Sequence, residues 1–400
     1  MSETPTAPQR SDDGDSMVAR FVREIVSGQT LLLTFLAVLT ALVFGAILII
    51  LSEDATREPL GYIFARPSDF FSAVGTTVGD AYGSLLSGAI GSPRAWTETL
   101  VAATPLILTG LAFALPFRAL LINIGGEGQF VAGAIAGSLV GFGVTGLPLI
   151  VHLPLVLVAG ALGGAFYGWI PGILKARTGA HEAIVTIMLN NIGLLFLGYM
   201  LTSDFVQNPG RNDPISRALL PSAQLPVLGF RLHAGLFVAL GAAALSWWLI
   251  ERSTYGFEVK AVGFNPRAAE FAGMRPSRMY WSILMLGGAM AGLGGILTIS
   301  GLDPHRLTGG FSAGLGFDGI TVALLGRSSP IGIVAAALLF GALEAGGLRM
   351  QADTQTSLDL VTVVQAMVVI FIAAPALIRS IYRVRSVRSD GLEASTGWSA

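Results

Sequence analysis

Two carboxylates and four side-chain amides stand inside long apolar stretches of this 400-residue chain. Asn123, Glu127 and Gln129 fall in "INIGGEGQF" (122–130), Asn190 and Asn191 close "HEAIVTIMLNN", and Asp318 sits in "GLGFDGITVALLG". A charge at membrane depth costs at least about 2.5 kcal/mol, so it persists where it faces water or a protein interior. Glu127 and Asp318 could hold a proton or a cation, or could support helix packing through a bond to a neighbouring amide. The amides could line a path for a hydroxyl-rich solute, or could act as glue between helices. The flanking glycines point to local helix breaks whose freed carbonyls line a cavity. "GGEGQFVAGAIAG" and "GLGFDGITVALLG" share one acid, flanking glycines and an apolar run. They could be corresponding elements of an internal repeat.

A second group lies in the polar stretch "ERSTYGFEVKAVGFNPRAAEFAGMRPSRM" (251–279). Asn265 is a good N-cap and Pro266 suits the first helical position. Arg267, Ala268, Ala269, Glu270, Phe271 and Ala272 have good helix propensity. Gly273 supplies a stop, and Pro276 prevents a restart. One or two turns are unstable alone in water. This helix must therefore rest on the protein's own helix ends, as a connector, or on a partner, as a docking knob.

The elements that hold these residues are set by composition. The chain is 53% hydrophobic and 12% charged, with mean hydropathy +0.69. Soluble domains carry about 25% charged residues. This composition predicts an all-α integral membrane protein. Apolar runs occur at 31–51, 98–115, 119–143, 149–173, 183–202, 233–250, 279–300, 330–348 and 360–379. A tenth, Ala313–Gly326, is too short for an ordinary span.

Positive charge fixes the expected orientation. Arg10, Arg20 and Arg23 place the N-terminus inside. Lys175 with Arg177, then Arg252, Lys260, Arg267, Arg275 and Arg278, place the next two basic loops inside. Arg379, Arg383, Arg385 and Arg388 place the C-terminus there too. From 279 onward that requires an even number of crossings, so the short run must cross as a broken or half-length helix. About ten transmembrane helices follow, with a short cytoplasmic helix at 265–273. The expected organisation is a disordered cytoplasmic tail (1–30), a membrane domain (31–380) and a second cytoplasmic tail (381–400). Within the domain, 52–97 reads as a helix at the outer interface and 251–278 as a cytoplasmic loop. The four-proline segment 203–232 reads as an ordered or semi-ordered outer loop.

Several function classes fall away. Net charge −1 argues against a nucleic-acid partner, and zero cysteines exclude thiolate metal sites. His152, His181, His233 and His305 show no metal-ligand spacing. No phosphate-binding G-x-x-x-x-G-K-[ST] loop is present, so ATP hydrolysis is not expected of this chain. A membrane-embedded hydrolase lacks a readable nucleophile–base pair. A stand-alone channel or secondary transporter would use Glu127 and Asp318 as ion sites but gives no reason for the capped helix.

Four stretches carry a family resemblance: "FRALLINIGGEGQFVAGAIAG" (117–137), "ARTGAHEAIVTIMLNNIG" (176–193), "AVGFNPRAAEFAGM" (261–274) and "GLGFDGITVALLGRSSPIGIVAAALLFGAL" (314–343). With the spans between them they cover roughly 30–380. The chain resembles the membrane permease of bacterial ABC-type importers for simple sugars, branched-chain amino acids and nucleosides. The wording of "HEAIVTIMLNN" and "NIGGEGQF" is most similar to the larger permease of nucleoside importers, with a pentose permease as the alternative. The resemblance implies a bacterial plasma-membrane protein that moves solute by alternating access. It implies three partners: an ATPase subunit that binds the ATP, a second and shorter permease, and a lipoprotein receptor outside. It also implies that Asn265–Gly273 is the coupling helix that seats in the ATPase.

Overall fold

The computed structural model describes residues 28–383, and these are almost wholly helical. In chain order the helices are α1 (Gly28–Ser52), α2 (Asp54–Leu60), α3 (Pro67–Ile90), α4 (Pro93–Phe117), α5 (Gly126–Gly143), α6 (Leu149–Thr178) and α7 (Glu182–Leu201). After a small hairpin, β1 (Val227–Gly229) and β2 (Leu232–His233), come α8 (Gly235–Arg252), α9 (Thr254–Phe264), α10 (Pro266–Phe271) and α11 (Pro276–Gly301). The chain then forms α12 (Leu315–Leu325), α13 (Pro330–Thr354), α14 (Leu358–Ala373) and α15 (Pro375–Tyr382). Each of the ten predicted apolar runs holds a helix. Among the described residues, α1, α4, α6, α7, α8, α11 and α13 are long and apolar enough to cross a membrane. The protein is an all-α membrane protein. The expected tails at 1–30 and 381–400 lie mostly outside the described residues; 28–30 open α1.

Three expectations change in detail. The run from 119 becomes helix only at Gly126, and residues 118–125 are irregular. The run 360–379 is split at Ala374, whose φ of −116° and ψ of 68° leave the helical region. Pro375 explains this, because proline disfavours the α region for the residue before it. The segment 52–97 holds two helices and the start of a third, because Pro67 and Pro93 each open a new one. Of these, α3 docks along α13 and α1: a Cβ on Gly346 would overlap the Leu85 carbonyl, and the Tyr82 hydroxyl donates to the Leu42 carbonyl.

The centre of the bundle is α11, packed on α4, α5 and α6. Its contact with α6 is built from glycines four apart on both helices. A Cβ on Gly164 would overlap the Gly288 carbonyl, and one on Gly168 the Leu284 carbonyl. In a bilayer the hydrophobic effect does not drive helices together, and close backbone packing takes its place. The short α12 fills a gap between α4, α5 and α13. Its 11 residues rise about 16 Å, roughly half of a ~30 Å hydrocarbon core. It starts and ends inside protein, as a half-length helix must.

At one end of the bundle the loops 203–232 and 302–314 interlock. Ser216 N donates to the Leu307 carbonyl at 3.0 Å, and Leu307 N donates back to Ser216 Oγ at 2.8 Å. His152 Nδ1 reaches Ser222 Oγ at 2.8 Å. The segment 203–232 is thus an ordered cap. The opposite end carries α9 and α10.

Candidate functional site

The irregular segment 118–125 leaves its backbone groups without helical partners, and buried backbone groups must find partners elsewhere. One face of α7 supplies them. Glu182, Thr186 and Asn190 recur every four residues, so they share that face. Glu182 Oε1 accepts from Ile122 N (3.3 Å) and Thr186 Oγ1 from Ile124 N (3.3 Å). Asn190 Nδ2 donates to the Ile124 carbonyl (2.8 Å), and its Oδ1 accepts from Gly128 N (2.8 Å). Lys175 Nζ, 2.7 Å from Glu182 Oε2, holds the first rung in place.

Around this ladder the buried polar residues form one knot. Asn123 and Gln129 face each other as a reciprocal amide pair, both bonds 3.0 Å, and Asn123 Nδ2 also donates to the Ala112 carbonyl. Glu127 is 2% exposed, and its Oε2 accepts from Gly316 N at 2.9 Å. The starts of α5 and α12 therefore abut. A Cβ on Gly126 would lie 2.8 Å from the Gly316 carbonyl, and one on Gly316 would overlap Glu127 N. The positive ends of two helix dipoles meet here, and the carboxylate sits where they favour negative charge. The two glycine-and-acid stretches that looked alike in sequence are thus in direct contact.

Of the six polar residues singled out by sequence, Asn123, Glu127, Gln129 and Asn190 come together in the knot. Asn191 does not. It is exposed on another face of α7, and its amide reaches only its own helix at the Ile187 carbonyl, 3.4 Å away. Asp318 is exposed on the first turn of α12, within Coulombic range of Glu127. Sequence reasoning passed over Glu344 on α13, which lies within Coulombic range of Asp318. Its signal was available: a lone acid inside "PIGIVAAALLFGALEAGG". It also passed over Glu182 and Thr186, whose four-residue spacing with Asn190 marks a shared face.

The geometry separates the adjacent asparagines by experiment. Asn190→Leu strands Gly128 N and the Ile124 carbonyl, and each buried unsatisfied group costs about 1–3 kcal/mol. Thermal unfolding in detergent should show a clear loss for Asn190→Leu and none for Asn191→Leu. Equal effects would contradict the different placements.

The second site is α10. Asn265 Oδ1 accepts from Ala268 N at 3.0 Å, Pro266 opens the helix, and Gly273 follows it at φ +85°. One residue of this helix rests on the protein's own helices. Ala269 is 4% exposed and packs with Val259, Val262 and Met279, so it seats the helix on its own protein. An arginine at 269 would unseat α10. Pro266, Arg267, Ala268, Glu270, Phe271 and Ala272 are exposed. Phe271 is 94% exposed and Phe264, just before the cap, 90%.

From this knob a packed route leads to the knot. Val259, Val262 and Ala269 share a core cluster with Leu115, Ala119 and Leu121. A Cβ on Gly263 would lie 2.8 Å from the Arg118 carbonyl. Arg118 Nη2 donates to the Ser328 carbonyl at 3.0 Å, tying the irregular segment to the turn between α12 and α13.

Comparison with known proteins places this arrangement. The family described as the permease component of the branched-chain amino acid transport system matches residues 96–373. The chain belongs to that permease family. Among the permease's relatives is a guanosine ABC transporter permease (NupP) of Bacillus subtilis, 40% identical over 310 residues, or 76% of this chain and 88% of the relative. A nucleoside ABC transporter permease (NupB) of Lactococcus lactis is 39% identical, covering 74% and 84%. A glucose ABC transporter permease of Haloferax volcanii is 37% identical, covering 76% and 82%. The first two bacteria each hold a second, more distant matching permease, at 29% and 28% identity. No solved structure matches the chain. The permease is thus related to transport subunits, and the knot and α10 both fall inside the matched region.

Proposed function

We propose that this permease is one half of the pore of an ATP-driven importer and carries a nucleoside inward by alternating access. The observation that carries the reading is α10. It is a helix too short to stand alone, capped at both ends and seated by Ala269, with one aromatic ring in the open on its last residue and another just before its cap. An ATPase subunit that binds and hydrolyses the ATP docks there, on the cytoplasmic face, and both termini lie on the same side. Closure of the ATPase pair pushes α10, and the packed route through α9 and residues 118–121 carries the push to the knot. There the two helix starts either stay in register or part. A receptor lipoprotein delivers solute at the opposite face. The second permease is a shorter paralogue, as the paired matches from two bacteria suggest. The bacterial plasma membrane is the setting.

In the pathway Asn191 and Asp318 face outward and meet the solute, while Asn123, Glu127, Gln129 and Asn190 hold the broken-helix geometry beside it. A neutral solute rich in hydroxyls suits such amides and small residues. Two of the three relatives described above are nucleoside permeases, and this favours a nucleoside over a sugar. The test is uptake by cells expressing the complete transporter. Labelled guanosine or adenosine should enter, and excess ribose, glucose or leucine should not compete. Entry of a labelled sugar without nucleoside entry would move the assignment to the sugar branch.

A further inference from the structure

The capped end of the bundle, remote from α10, holds an open cavity of about 720 Å³ between α3, α4, α11, α13 and the start of α12. Small-solute sites fall in the range of about 300–1,000 Å³. Val101, Pro105 and Leu315 give the cavity apolar walls, and Arg231 and Arg349 also line it. Glu344 faces it from the middle of α13, half-buried. Arg231 is committed to Glu98 at 2.9 Å and Arg349 to Asp353 at 2.6 Å. A third arginine, Arg94, also lines the cavity and makes no ion pair with Glu344. Among the described residues none forms a hydrogen bond or ion pair with Glu344, and the Asp318 carboxylate repels it. An unpaired carboxylate at membrane depth is expensive. Two N–H donors from a solute favour the ionised form of such a carboxyl, which only accepts hydrogen bonds and whose two oxygens suit a parallel pair.

Resting on the nucleoside reading above, we infer that this cavity is a solute subsite in which Glu344 recognises a guanine base. Guanine is the common base that offers two adjacent N–H donors on one edge, the ring N1–H and the exocyclic amino group. Each meets one carboxylate oxygen. Adenine and cytosine place an acceptor nitrogen beside their amino group, and that nitrogen would face the second oxygen with like charge. Uracil flanks its one donor with two carbonyls. The apolar walls take the faces of the base, and the ribose hydroxyls turn to the polar part of the lining. The pore then adds a preference of its own to whatever a receptor selects.

The test is nucleoside uptake by the complete importer, with receptor and ATPase unchanged, so that a shift in preference belongs to this chain. Glu344→Gln replaces one acceptor by a donor. That removes the match to guanine's two-donor edge, the one inosine lacks, and creates one to adenine, since a side-chain amide pairs with a donor–acceptor edge. The guanosine-to-adenosine uptake ratio should fall about tenfold. The wild type should favour guanosine over inosine, which lacks the amino group, and the variant should lose that preference. Glu344→Asp keeps the charge but retracts it; it should show a smaller shift in the same direction and serves if the glutamine variant does not assemble. An equal drop for every nucleoside, or an unchanged guanosine–inosine preference, would overturn the inference. A wild type that takes up no nucleoside at all would instead refute the function on which it rests.

Discussion

Replacing Phe271 with aspartate is expected to abolish ATP-coupled uptake while the permease still folds and reaches the membrane. The ring is 94% exposed, so its removal leaves no cavity and strands no buried group. Surface changes of this kind usually alter stability by no more than about 0.5 kcal/mol. Binding is another matter. Aromatic anchors at the centre of an interface commonly contribute about 2 kcal/mol or more, and a buried carboxylate in their place adds a desolvation penalty. The ATPase subunit should co-purify at least ~30-fold less well with Phe271→Asp, and more weakly still when Phe264→Asp is added. Wild-type co-purification and uptake by the double variant would show that α10 is a connector and not a dock. Arg267→Ala, on the same exposed surface, should have a smaller effect and a stronger dependence on salt.

The second large effect is expected at the point where two helix starts meet. Gly316→Val would drive a branched side chain into Glu127 N and Gly126 C, both backbone atoms of α5. Backbone cannot yield as a flexible side chain can. Overpacking alone costs about 1–3 kcal/mol. Losing the Gly316 N bond to the Glu127 carboxylate adds about 1.5–3 kcal/mol, because that bond involves a charge. Thermal unfolding in detergent should therefore drop sharply. Gly310→Ala is the control, since a Cβ there meets nothing within 4 Å. If both variants melt like the wild type, the two stretches are not in contact and the knot is wrongly described.

These sites differ in how far the sequence reveals them. The caps of α10 are local: Asn265, Pro266 and Gly273 act on backbone within three residues, so the helix was legible in full. Nine apolar runs were legible because bilayer thickness demands length and oiliness from each, and the short tenth because the basic loops require an even number of crossings. The break before Gly126 was not, since "ALLIN" is apolar enough to continue a helix. What interrupts it is a polar ladder sixty residues away in α7, at Glu182, Thr186 and Asn190. Neighbouring residues on a helix point about 100° apart. Composition therefore cannot show that Asn190 faces the knot while Asn191 faces outward. Ala269 teaches the same lesson, because only the packing of Val259 and Met279 reveals that it points inward. Glu344 was readable as a lone acid in an apolar run. Its cavity was not, because its walls come from segments about two hundred residues apart, at 87–105 and 298–352.

The central claim is that ATP binding and hydrolysis on a partner, transmitted through α10, drives a nucleoside through this chain. The most direct measurement uses proteoliposomes holding this permease, its paralogue, the ATPase and the receptor. The ATPase sites face a lumen loaded with ATP, and labelled guanosine is supplied outside. Label should accumulate in the lumen against its gradient when ATP is trapped there. It should not accumulate with a non-hydrolysable analogue, and dissipating proton and sodium gradients with ionophores should change nothing. Accumulation driven by an ion gradient in the absence of ATP would contradict the account and make Glu127 and Asp318 the ion sites of a secondary transporter.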